Sequence, residues 1–232
     1  MRINPMRSYI LVLALMAALL LTACNLQPKE GCAALSGQSN IDDCYYQQAI
    51  SNANLSVCDN IQLDPLKESC ISEVAVALND LSLCETLNET TQGTCIAKIA
   101  LERGNETLCF TINSTYWWDI CFYDLGVLKQ DPEICDEMDL LSDRRDECFV
   151  TVSNLKHDES VCRMVGNSAK QYRCYITQAV EKGEPSICDK IDDKIWREGN
   201  CIKKVAEEAD NSSICQIITI DKIKQDCLDK FN

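Results

Sequence analysis

The chain has 232 residues, of which 17 are cysteine, 22 are Lys or Arg and 36 are Asp or Glu, for a formal net charge of −14. So heavy a cysteine load does not suit a reduced cytosolic enzyme, and the chain is too long for a mini-scaffold held by bridges alone. The acidic balance argues against a nucleic-acid partner, which needs clustered basic side chains, and a lone histidine, His157, leaves little for imidazole chemistry.

Residues 1–23 read as an export signal, with Arg2 and Arg7 ahead of an unbroken apolar run from Ile10 to Leu21. Twelve helical residues span about 18 Å, short of the ~30 Å hydrocarbon core, so the run predicts a signal region and not a permanent span. It ends in Leu21, Thr22, Ala23 and Cys24. This tetrad resembles the lipobox of prokaryotic membrane lipoproteins, and the resemblance implies cleavage before Cys24 with lipid on its thiol. Cys24 would then be the membrane contact and residues 24–31 a lipidated tether. From Cys24 to Cys32 such a tether reaches about 25 Å when extended. Cysteine parity agrees: with Cys24 set aside, sixteen remain, and an even number in an exported chain suggests full pairing.

Residues 32–232 form one cysteine-rich domain with a hidden repeat. Taken as successive pairs, the cysteines are separated by 12, 12, 11, 12, 13, 12, 13 and 12 residues within pairs, and by 14 between pairs every time. A period of 25 to 27 residues in eight copies marks a stacked array. Four residues before the first cysteine stand Asn54, Asp80, Asn105, Asp131, Asp158, Glu184 and Asn211, with Pro132 and Pro185 following two of them. Asn and Asp satisfy free N–H groups of a first turn and proline needs no partner there, so these positions predict N-caps. Apolar residues just before the cysteine and three after it, such as Ile134 and Met138, share its helical face and predict a first helix of about two turns.

The second cysteine is followed by Tyr45, Ile71, Ile96, Phe122, Phe149, Tyr175, Ile202 and Leu228. Five residues past it, from Ala49 to Ala206, the side chains are small. This is again one helical face, whose small residues let a neighbour approach closely. The expected fold is therefore all-α, a solenoid of eight short disulfide-stapled αα-hairpins. Linkers at Asp64-Pro65, Gly93, Ser142-Asp143 and Gly166-Asn167 would absorb the length changes.

Helix geometry selects the pairing. Cysteines 12 apart sit about 6 Å either side of a hairpin turn, whereas those 14 apart would be offset by roughly 12 against 5 Å, which a bridge with Cα atoms ~5.5 Å apart does not easily accept. The expected bridges are Cys32–Cys44, Cys58–Cys70, Cys84–Cys95, Cys109–Cys121, Cys135–Cys148, Cys162–Cys174, Cys188–Cys201 and Cys215–Cys227, with pairing between stacked repeats as the alternative. Each would contribute up to about 3 kcal/mol. Zinc spacing of two to four residues and the haem-attachment motif are both absent, so no metal or cofactor is expected.

Six of the fourteen aromatics lie between Phe110 and Tyr123. Phe122 holds a regular core position. Phe110, Tyr116, Trp117, Trp118 and Tyr123 form a candidate binding patch, because indole and phenol rings contribute contact area at low entropy cost; the competing reading is that the two tryptophans pack on a neighbouring repeat. Asn54, Asn88, Asn105, Asn113 and Asn211 each stand two before Ser or Thr, the N-glycosylation acceptor spacing, but three of the five are also the N-caps above, where Ser or Thr is common in a first turn for reasons of its own. Acidic groups such as Asp42-Asp43, Asp136-Glu137 and Asp192-Asp193 read as solvated faces, and His157 as exposed.

In general design the stapled hairpins resemble the cysteine-rich Sel1-type helical repeat proteins of bacteria, although the units are shorter here, the cysteines farther apart and the glycine and alanine signature missing. The resemblance carries over no activity and no site residues. With no nucleophile–base pair or phosphate loop in view, the expected role is a non-catalytic binding scaffold at the cell surface or in the periplasm. Its partner would be a protein or glycan, with membrane contact through Cys24; an envelope enzyme or a structural spacer are the other readings.

Overall fold

A computed structural model describes residues 31–231. The expected signal region, Cys24 and the tether up to Glu30 lie outside the described residues. Every regular element among the described residues is helical. They fall into two compact units, 31–70 and 71–231. The long helices, each carrying the second cysteine of its pair, are α1 (Gln38–Ser51), α2 (Asp64–Leu78), α3 (Glu89–Arg103), α4 (Thr115–Lys129), α5 (Asp143–Lys156), α6 (Ser168–Lys182), α7 (Trp196–Ile202 in π form, continuing as Lys203–Glu208) and α8 (Asp221–Leu228). In the second unit, each helix from α3 onward packs on the next, as in a solenoid.

Eight disulfides staple the hairpins: Cys32–Cys44, Cys58–Cys70, Cys84–Cys95, Cys109–Cys121, Cys135–Cys148, Cys162–Cys174, Cys188–Cys201 and Cys215–Cys227. Their Cα atoms lie 5.5 to 5.8 Å apart. So many bridges place the folded chain in an oxidising, extracytoplasmic compartment. No helix among the described residues is long and apolar enough to cross a membrane.

The first segment of each hairpin is expected to run about two turns; it does so as 3₁₀ helix in Glu106–Thr111, Pro185–Lys190 and Ser212–Ile217 and is shorter in the rest. It is a single α turn in Leu55–Cys58, Leu81–Cys84 and Pro132–Asp136, and a 3₁₀ stretch of three to six residues in the others. The backbone turns extended at Ile112, Val165, Ile191 and Ile218, three residues past the cysteine. Leaving the helix there swings these apolar side chains into the core, where all four are buried. The N-caps fall where the spacing puts them. Asn54, Asp80, Asn105, Asp131, Asp158 and Asn211 each accept the N–H two residues on, while Glu184 makes no such bond. Ser56, Ser82, Thr107 and Ser213 also donate their hydroxyls to the same cap oxygens. Asp80 with Ser82 repeats the bonding of Asn54 with Ser56, so the Asn-x-Ser/Thr spacing at these caps has a structural cause.

The junctions between hairpins explain the constant step of 14. Each long helix from α1 to α7 ends on a residue with positive φ: Ala53, Asn79, Gly104, Gln130, His157, Gly183 or Asp210. The next residue, already the cap of the following segment, donates its N–H to the carbonyl of the small residue five past the cysteine, for example Asn54 to Ala49 and Asp131 to Gly126, both at 2.9 Å. One residue thus closes the left-handed C-terminal turn and opens the next helix. No slack remains for insertions. The small residue also receives the next bridge: a Cβ on Gly126 would lie 2.9 Å from the Cys148 sulfur and 3.0 Å from that of Cys135.

Two of the expected linkers are helical instead: Asp64-Pro65 open the first turn of α2, and Gly93 is a buried residue inside α3. A Cβ there would sit 2.8 Å from Cβ of Trp117, so the glycine lets α4 approach α3 closely. The acidic reading needs correction at Asp42, which is 2% exposed. Its carboxylate accepts the N–H groups of Gln62 and Leu63, both at 3.1 Å, from the linker of the following hairpin. Asp146 holds Gly166 and Asn167 in the same way, and Glu198 holds Thr219 and Ile220. These are buried latches between successive repeats, not solvated faces. Burial by itself would raise the Asp42 and Glu198 carboxyls; the donated hydrogen bonds outweigh it and hold both below the usual carboxylate range.

Candidate functional site

The aromatic run Phe110–Tyr123 spans the short segment of the fourth hairpin and the first half of α4, all within the second unit. Phe122 is fully buried, and the rings of Phe110 and Trp118 both meet it edge-on with centroids 5.0 Å away. Trp117 and Trp118 are partly buried against the core, Trp117 in the space left by Gly93. Their principal contacts are therefore with this hairpin and its neighbour. Phe110 and Tyr116 are different, being 56% and 59% exposed. The Arg144 guanidinium from α5 lies 5.4 Å from the Tyr116 ring centre, a cation–π contact that fixes the phenol at the surface.

The loop ahead of α5 adds apolar surface that the aromatic spacing does not reveal. Leu140 and Leu141 are 78% and 94% exposed. The same loop is tied to α4 where Ser142 donates its hydroxyl to Asp119 at 2.6 Å.

Tyr123 leads to a second part of the surface. Its hydroxyl lies 3.4 Å from that of Thr151, and together with Glu147, Val150, Lys170 and Arg173 these residues line a groove of about 360 Å³ across α4, α5 and α6. The residues come from a common register: Tyr123 and Val150 lie two past the second cysteine, Glu147 and Arg173 one before it, Lys170 four before. Helical spacing therefore puts them on one face of three successive helices. Lys170 is held by Asp143 at 3.1 Å and Glu147 at 3.8 Å, whereas Arg173 is exposed. Asp124 stands beside Tyr123 in α4; burial raises its carboxyl pKa against the opposing pull of Arg144.

The candidate patch thus divides. Trp117 and Trp118 act mainly in packing, Phe110 and Tyr116 present open rings, and Tyr123 borders the polar groove. Glu147, Lys170 and Arg173 escape a reading based on aromatic density. Listing the outward positions of each repeat against the cysteine register would have found them. Among the described residues no group of three His, Cys, Asp or Glu side chains is placed to hold a metal ion. The groove can offer hydrogen bonds of both polarities beside a phenol ring, a combination suited to binding polar chains.

No known protein family, characterised protein or solved structure matches this chain.

Proposed function

We propose that the chain is a lipid-anchored extracytoplasmic scaffold that binds a protein or glycan partner at the cell envelope and catalyses no reaction. The observation that carries this reading is the groove of Tyr123, Thr151, Lys170 and Arg173 across three consecutive stapled helices, on a repeat that also exposes the rings of Phe110 and Tyr116. Rigid repeat surfaces lose little entropy on binding, and aromatic and arginine side chains dominate the energetics of such contacts. The membrane attachment follows from the likeness of Leu21–Cys24 to a lipobox.

Two experiments test the proposal. Mass spectrometry of the mature N-terminus is expected to find lipid on Cys24, and a free thiol there contradicts the anchor. Saturable binding of the oxidised protein to one envelope glycan or protein is expected to weaken at least tenfold in the pair Tyr116→Ala and Tyr123→Ala. Unchanged binding in that variant removes the surface from the account, and turnover of the bound partner would replace the scaffold with an enzyme.

A further inference from the structure

The repeats allow one hairpin to be compared with another, position by position. In four of the eight hairpins the side chain three residues before the second cysteine reaches back to the short segment of its own hairpin. Lys67 pairs with Asp59 at 3.0 Å. Arg145 pairs with Asp136. Gln171 donates to the carbonyls of Arg163 and Val165, and Lys224 to that of Gln216. Asp59 and Asp136 stand immediately after the first cysteine, and Asp189 holds that place in the seventh hairpin.

There no such ion pair closes, although both charges are present. The π turn at Trp196–Ile202 inserts an extra residue ahead of Cys201. Glu198 thereby takes the latch position that Asp146 fills two before its cysteine, and Arg197 takes the position of Arg145. Arg197 nonetheless makes no ion pair with Asp189. Its guanidinium donates to the Ile191 carbonyl at 3.3 Å. A cavity of about 600 Å³ opens instead, with Asp189, Arg197, Ser186, Pro185, Ile202 and Ile217 among its lining residues. The Glu198 carboxylate also borders it, but both oxygens are occupied by Thr219 and Ile220. The cavity therefore offers a guanidinium bonded to one backbone carbonyl but in no ion pair, and a carboxylate in no ion pair, beside an apolar wall.

We propose that this cavity binds the zwitterion of an apolar α-amino acid, its carboxylate on Arg197, its ammonium on Asp189 and its side chain against Ile202, Ile217 and Pro185. The planar guanidinium matches a carboxylate with two parallel hydrogen bonds. A purely anionic ligand would meet Asp189, a purely cationic one would meet Arg197, and a neutral apolar one would strip water from both charges without replacing it. A zwitterion satisfies both. The ligand completes the link that Lys67 with Asp59 and Arg145 with Asp136 make directly. The volume lies within the ordinary range of small-molecule sites. This inference stands apart from the α4–α6 surface and uses none of its residues.

Calorimetric titration of the full mature, oxidised chain tests it with three probes: L-leucine, isovalerate, which keeps only the carboxylate, and isoamylamine, which keeps only the ammonium. The expected result is saturable one-to-one binding of leucine, with each single-charge probe at least tenfold weaker. Arg197→Gln and Asp189→Asn should each weaken leucine at least tenfold. Equal binding of the three probes, leucine affinity unchanged in both variants, or no leucine binding at millimolar concentration each overturns the proposal. Should either charge variant fail to fold, Ile217→Ala replaces it, because that side chain is half exposed. Ile217→Ala is expected to weaken leucine but leave glycine unchanged, and equal effects on the two ligands contradict the assigned apolar wall.

Discussion

The fifth and seventh hairpins have the same 13-residue separation between their cysteines but accommodate the longer connection differently. The fifth places it in the loop Asp139–Ser142, keeps α5 regular and closes the Arg145–Asp136 pair. The seventh places it inside the helix as a π turn, which brings Glu198 onto the next linker and leaves Arg197 and Asp189 apart. A loop insertion preserves the internal contacts of the hairpin, whereas a helix insertion rotates every side chain ahead of it by one position. The second route opens a cavity beside the separated pair, and π turns are often found where proteins depart from regular packing for a functional reason.

The largest expected effect comes from removing a bridge. Replacing Cys135 and Cys148 with serine, or Cys188 and Cys201, should cost up to about 3 kcal/mol in denaturant unfolding. A smaller loss at 188–201 would mean that the π-containing hairpin is already strained or partly open. The latches come next. Asp146→Ala and Glu198→Ala each orphan two backbone N–H groups of the following linker and should cost about 1–3 kcal/mol, read by the same unfolding curves.

The latches also predict acid sensitivity. Glu198 and Asp42 have folded pKa values below those of the unfolded chain, so the unfolded state binds more protons. The stabilisation they contribute is complete above the unfolded carboxylate value of about 4 and is lost as pH falls through the folded values. Asp124, raised by burial, acts in the opposite sense, disfavouring the folded state once it ionises. Thermal unfolding between pH 7 and pH 2 should show a falling midpoint whose acid limb shrinks in Glu198→Gln.

Smaller effects sharpen the contrast further. Asp136→Ala breaks a closed surface pair and should cost up to about 1 kcal/mol, while Asp189→Ala, with no pair to lose, should leave ligand-free stability unchanged within error. Gln130→Gly and His157→Gly, at left-handed junction residues, should each gain about 0.5–1 kcal/mol by relieving the side-chain clash at positive φ.

Much of this architecture is legible in the cysteine spacing, because the bridge, the cap four residues ahead of it and the small residue that receives the next bridge recur in fixed register. Asn54, Asp80, Asn105, Asp131, Asp158 and Asn211 are recognisable as caps without coordinates, and so are the buried faces around Ile99 and Val152. Three features were not legible. Asp42 looks like any surface acid because its partners are backbone groups 20 and 21 residues away. Gly93 looks like a turn because the indole that needs its space comes from the next hairpin. The π turn is invisible because a count of 13 residues does not say whether the additional residue enters a loop or a helix.

Non-reducing peptide mapping of the mature oxidised protein tests the central claim most directly, since the comparison of hairpins rests on each bridge closing its own unit. The account predicts Cys135 joined to Cys148 and Cys188 to Cys201, with the other six pairs equally local. A peptide linking Cys148 to Cys162, or Cys174 to Cys188, would contradict it.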